Sequence, residues 1–207
     1  MDAGYQTAAR EAEDAFVERR SRFIGAICPV QTEEDALAFV AKRKKAHWDA
    51  THHVYAYVLR QGGIRRYSDD GEPQGTAGMP VLDVLLKEEL SDCVVVVTRY
   101  FGGILLGGGG LVRAYTAAAS GALQSAELVS MRLVVDCKVR VSYAQFEQAQ
   151  RIIAAAETRL DEPIFDDAVT LCWRMPAGQE ETLRTALNEL TRGGAEVEIS
   201  APQYAAF

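Results

Sequence analysis

Read along the chain, the apolar positions change period several times, and each change predicts an element. Ala15-Phe16-Val17 and Phe23 to Ile27 are two β-rich runs on either side of the charged stretch Glu18 to Ser21, the pattern of a hairpin. Thr32-Glu33-Glu34-Asp35 opens a helix with acids in its first turn. Ala36, Leu37, Val40 and Ala41 make its apolar stripe, and Lys42-Arg43-Lys44-Lys45 close it. Val54 to Leu59 alternates as a strand with Tyr55 and Tyr57 on one face, and a shorter strand follows around Ile64 to Tyr67. Ser68 to Gly78 is nearly all turn-formers, after which Pro80 fits a helix start with Val81, Leu82, Val84, Leu85 and Leu86 as the buried side. The four valines Val94 to Val97 read as a strand covered on both faces, because a backbone with one wet side alternates. That strand runs into Gly102, Gly103 and Gly107 to Gly110, and an alanine-rich helix covers Leu111 to Ser125.

From Met131 the order is strand (Met131 to Val141), helix (Ala144 to Glu157), strands (Arg159 to Phe165 and Ala168 to Arg174), helix (Gln179 to Thr191) and strand (Glu196 to Ser200). This β-α-β-β-α-β order is the ferredoxin-like pattern. The chain is accordingly read as α+β with two domains, 1–130 and 131–207.

Composition narrows the function. With 48% hydrophobic and 25% charged residues the chain is of ordinary globular type. It has no apolar run of spanning length, and Met1-Asp2-Ala3 begins no signal peptide, so a cytoplasmic protein without membrane contact is expected. Cys28, Cys93, Cys137 and Cys172 are scattered among apolar neighbours and read as reduced thiols. Net charge is −7, with 14 basic against 17 acidic residues before Met131 and 8 against 12 from there on, so neither half is a basic domain. Any RNA contact must come from a local patch, such as Arg19, Arg20 and Arg22 or Lys42 to Lys45; a solvated helix end is the plainer reading of the second.

The glycine loop matches no named phosphate motif. It lacks the Lys-Ser or Lys-Thr of a P-loop, and Arg113 stands where a dinucleotide fingerprint has its third glycine. Two readings remain open: a tight turn that lets helix and sheet pack, or an anion-facing helix start flanked by Arg99 and Arg113. Arg99-Tyr100-Phe101 offers a cation and two aromatics for stacking or for gripping a partner. Ser68, Asp69, Asp70 and Glu72, with His52 and His53, hold the residue types of a hydrolase or metal site, yet adjacent histidines on a strand face opposite ways and no catalytic motif is complete. No cofactor or metal is called for.

Several segments together resemble the Impact/YigZ family: Ser21 to Gly25, Ala50 to His53 with Tyr55 to Tyr57, Ser68 to Pro73, Gly75 to Gly78, Thr98 to Gly103, and Gly107 through Leu111 to Tyr115. The resemblance spans about the first 130 residues, and the remainder resembles the C-terminal domain of bacterial members. Where many members carry lysine before the second leucine of the glycine loop, this chain has Leu105, one positive charge fewer. The resemblance implies halves similar to domains IV and V of elongation factor G: a ribosomal-protein-like α/β sandwich with a left-handed crossover, and a ferredoxin-like domain. It implies a link to translation; together with the lack of a complete catalytic set this gives the expectation of a non-enzymatic module that contacts RNA, the ribosome or a ribosome-bound protein, and a monomer is expected. The competing reading is a small-molecule hydrolase using Asp69, Asp70 and Glu72 with His52 or His53.

One face is expected to carry the function: Ser68 to Gly78 against Arg99 to Arg113, including Tyr100, Phe101, Gly102, Gly103, Gly107 and Gly108. Arg99 and Arg113 are expected at its surface, one of them oriented by Asp69, Asp70 or Glu72.

Overall fold

The structure, a computed structural model, describes residues 4–194 and 196–207; Met1, Asp2 and Ala3, read above as beginning no signal peptide, lie outside them. It is mixed α+β and divides into two compact units, Tyr5–Ser130 and Met131–Phe207, the latter with Gly4.

In the first unit the chain order is β1 (Tyr5–Ala8), β2 (Ala12–Glu18), β3 (Ser21–Pro29), α1 (Glu33–Ala46), β4 (His52–Leu59), β5 (Ile64–Ser68), α2 (Gly78–Lys87), β6 (Cys93–Tyr100) and α3 (Gly108–Ser125). Strands β2 to β6 form a five-stranded sheet in the order β2-β3-β6-β4-β5, antiparallel throughout. The valine strand is central, as its composition predicts. Val95 and Val97 pack with α2 and α3, whereas Val94 and Val96 pack with Ala36, Phe39 and Val40 of α1. One helix therefore covers one face and two cover the other. Thr32 caps α1 through a capping box with Asp35. The basic tetrad in the last turns of α1 is mostly consumed internally: Lys42 pairs with Glu11 at 2.5 Å, buried Arg43 with Glu13 at 2.8 Å, and Lys44 with Asp70 at 2.9 Å.

In the second unit β7 (Leu128–Val141) leads to α4 (Tyr143–Ala154), β8 (Arg159–Leu160), β9 (Ile164–Phe165), β10 (Val169–Pro176), α5 (Glu180–Thr191), β11 (Val197–Ile199) and β12 (Gln203–Ala206). β10 lies between β7 and the short β8 and β9, while β11 and β12 pair with β7, all antiparallel. Taken in chain order this is a 4-1-3-2 sheet, the ferredoxin-like arrangement. Val135, Cys137, Val139 and Val141 alternate toward the helices and meet Ala149, Ile153, Leu183 and Leu187 in one core. The strand expected over Arg159 to Phe165 is split in two at Asp161-Glu162-Pro163, where proline has no N–H to give the ladder. β1 and β12 are short and escaped the periodicity. No helix of the described residues is long and apolar enough to cross a membrane.

Candidate functional site

Strand alternation decides which sequence candidates meet. On β4 and β6, His52 stands opposite Arg99 and His53 opposite Thr98. His52 and Arg99 thus face α2 and α3, while His53 and Tyr100 face α1. His53 is buried, its Nε2 donates to the His47 carbonyl at 3.1 Å, and burial lowers its pKa. The Tyr100 hydroxyl meets His47 Nδ1 at 3.0 Å and Asp49 at 3.3 Å. These two candidates stay outside the cluster on the opposite face, although His53 Nδ1 stands 4.0 Å from Asp70 Oδ2.

On the opposite face, Arg99 Nη1 donates to Glu72 Oε1 at 2.5 Å, and the buried Tyr115 hydroxyl donates to the same oxygen at 2.7 Å. Burial, then the Glu72 contact, raises the Tyr115 pKa far above the usual phenol value. His52 Nδ1 donates to the Asp70 carbonyl at 2.8 Å, which turns its Nε2 toward Glu72 Oε1, 3.9 Å away. The Arg99 guanidinium lies over Phe23 and Phe101, at 5.4 and 5.5 Å from the ring centroids, and its Nε has no hydrogen-bond partner. Above this cluster opens a cavity of about 380 Å³, lined among others by Thr51, Pro73, Leu105, Leu106, Gly107 and Gly108. The turn Ser68 to Gly78 and the glycine loop therefore do lie against each other.

The loop's glycines serve two purposes. Gly102 lets the chain cross the β2–β3 hairpin, since a Cβ there would fall 2.1 Å from Arg20 backbone atoms, and its amide donates to Ser21 Oγ at 3.2 Å. Gly107 has φ 73° and stands before the first turn of α3 without a side-chain cap. Gly103 also has positive φ. Helix α3 begins at Gly108, three residues before the alanine-rich pattern suggests it.

Three expectations are corrected here. Arg99 is not a surface arginine: it is 5% exposed and ion-paired to Glu72, itself 8% exposed, because strand alternation points it into the fold. Arg113 is exposed on α3 and lines a separate hollow of about 280 Å³ with Phe16, Glu18, Arg19, Leu106 and Gly110. The carboxylates do not converge as a hydrolase needs. Asp69 accepts from the amides of Gly75 (2.9 Å), Ala77 (3.1 Å) and Gly78 (2.7 Å), capping α2 from a distance. Asp70 accepts from the His53 amide (2.6 Å) and Lys44 (2.9 Å), and Ser68 Oγ accepts from the Asp70 amide (3.2 Å). These groups build the turn, and only Glu72 reaches the cavity. Among the described residues no group of three or more His, Cys, Asp or Glu is placed to hold a metal ion.

Tyr115 and Ser21 stand in segments that carry the family resemblance, but sequence reasoning gave neither a role at the site. The signal for Tyr115 was its place one turn after Leu111 on the buried side of α3, where a phenol needs a hydrogen-bond acceptor. Trp48 was also missed; a tryptophan between α1 and β4 gives no periodic cue, yet it is 80% exposed.

Two family models match: the Impact N-terminal domain over residues 19–123 and a domain of unknown function (DUF1949) over residues 139–193. The chain is 36% identical to the IMPACT family member YvyE of Bacillus subtilis, over 97% of this chain and 93% of that protein. It is 31% identical to the IMPACT family member YigZ of Escherichia coli, over 86% and 89%. Protein IMPACT of Mus musculus is 35% identical over 44% of this chain and 30% of its own length. A crystal structure titled only as that of a hypothetical protein superposes with a TM-score of 0.63 at 28% identity, covering 95% of this chain and 97% of the other.

Proposed function

The chain belongs to the IMPACT family, and from that premise we propose that it is a non-enzymatic binding protein of the translation apparatus, contacting RNA, the ribosome or a ribosome-bound protein. The link to translation rests on the likeness of its first unit to Impact proteins and on the similarity to domains of elongation factor G that the family resemblance implies. One observation supports binding over catalysis: the floor of the cavity at the glycine loop is tied together by the bonds of Arg99 and Tyr115 to Glu72, under an exposed apolar lip. Leu105 is 80% exposed and Phe101 45% exposed on that lip. A hydrolytic site needs a free base or nucleophile facing the substrate. Here Asp69 and Asp70 are bound to backbone amides, and a rigid polar floor under apolar anchors suits docking.

Co-sedimentation of the full chain with ribosomes over a salt series tests this. Association at low salt that weakens as salt rises is expected, and Leu105→Ser with Phe101→Ser should reduce it. No association even at the lowest salt overturns the proposal, since phosphate contacts strengthen as salt falls.

A further inference from the structure

The hairpin of the first unit puts arginine where its backbone disfavours it. The turn residues between β2 and β3, Arg19 and Arg20, both have positive φ, 44° and 66°. Two-residue turns of this kind are normally built from Asn, Asp or Gly. Nothing inside the fold explains the two side chains. Arg19 makes only exposed contacts, 4.0 Å to Glu18 and 3.5 Å to the Leu105 carbonyl, while Arg20 and Arg22 have no ion pair or side-chain hydrogen bond among the described residues. Strained backbone of this sort gathers at functional surfaces, where the side chains displayed matter more than the turn.

The same end of the unit collects further cations and two open aromatic faces. The segment after β6 crosses the hairpin with Gly102, the residue after Phe101, against the Arg20 backbone, and Arg22 pairs with Tyr100 across β3 and β6. Arg113 shares its hollow with Arg19. Trp48 lies between His47 and Asp49, both in contact with the Tyr100 hydroxyl. The acids close by are Glu18, Asp49 and Glu13, the last paired with Arg43 at 2.8 Å, so against Arg19, Arg20, Arg22 and Arg113 this end is locally basic in a chain of net charge −7.

We propose that this end binds single-stranded RNA, its phosphates on Arg20, Arg22 and Arg113 and its bases stacked on Phe101 and Trp48. Duplex bases are stacked on one another and would leave both aromatics without a partner, whereas unpaired bases take aromatic and arginine planes. The inference deepens the reading above and rests on it for the source of the RNA.

Fluorescence anisotropy of the full chain with a labelled, unstructured oligouridine and with an RNA duplex of equal length, between about 50 and 200 mM salt, tests it. Preference for the single strand is expected. The triple variant Arg20→Gly, Arg22→Gln and Arg113→Gln should lower the slope of log affinity against log salt by about 2, since each phosphate contact on a single strand contributes about 0.7. Trp48→Ala and Phe101→Ala should each weaken binding about tenfold or more and leave the slope unchanged. Arg20→Gly installs the residue the turn prefers, so its unfolding midpoint should equal or exceed that of the parent, which separates lost binding from lost folding. Equal affinity for strand and duplex, no binding of the strand at the lowest salt, or an unchanged slope in the triple variant overturns the inference. Ribosome association that persists without single-strand binding sinks this surface and keeps the broader reading; the reverse result does the opposite.

Discussion

Replacing Arg99 by Met removes a buried charge while keeping most of the side chain's volume. The Arg99 and Glu72 side chains are 6% and 4% exposed and 2.5 Å apart, so solvent screens neither. Breaking such a pair leaves an uncompensated buried charge, which costs about 3 to 5 kcal/mol. For a unit of this length about 4 °C is lost per kcal/mol, so the melting transition should fall by roughly 12 to 20 °C. Glu72→Gln should cost a comparable amount although it keeps an acceptor for Tyr115. Replacing both residues by Met should recover much of the loss, because two apolar groups leave no charge behind; Tyr115 would still want an acceptor. Calorimetry of the four proteins completes a double-mutant cycle. A drop of less than about 4 °C for Arg99→Met, or a double variant weaker than either single one, would refute the reasoning. Arg113→Ala, on the exposed side of α3, should by contrast stay within about 0.5 kcal/mol of the parent.

Further measurements probe other parts of the fold. Burial lowers the pKa of both His47 and His53, with Arg43 adding to the effect at His47. The unfolded chain therefore binds protons more readily, and stability should be full above pH about 6.5 and fall as the pH drops below it, less so in a His53→Gln variant; a flat profile from pH about 8 to 5 counts against this. Gly102→Ala forces its Cβ into Arg20 backbone and should cost about 3 kcal/mol, read from urea unfolding; a neutral result would mean the crossing is looser than described. We propose that 1–130 and 131–207 are separate domains, so each fragment made alone should unfold cooperatively, and a fragment that shows only a broad, sloping transition argues for a different boundary.

Most elements were legible because they depend on neighbours in sequence. The capping box of Thr32 and Asp35, the double-faced burial of Val94 to Val97, and the opposite orientations of His52 and His53 all follow from local period and chemistry. The β-α-β-β-α-β order likewise carried the ferredoxin-like topology of the second unit. What local pattern cannot express is how distant groups use each other. Asp69, Asp70 and Glu72 look alike in sequence, yet folding gives the first to the amides of α2, the second to β4 and Lys44, and the third to Arg99 and Tyr115. Arg99 and Arg113 read as a matched pair beside one loop, but a strand position buries the first and a helix position exposes the second. The sequence by itself determined the elements, their faces and the family, because backbone propensity and burial period are written residue by residue. Only the tertiary structure decided which carboxylate meets which cation and which arginines stay free, because a charge finds its partner through distance in space, and that distance is set by the packing of the whole unit.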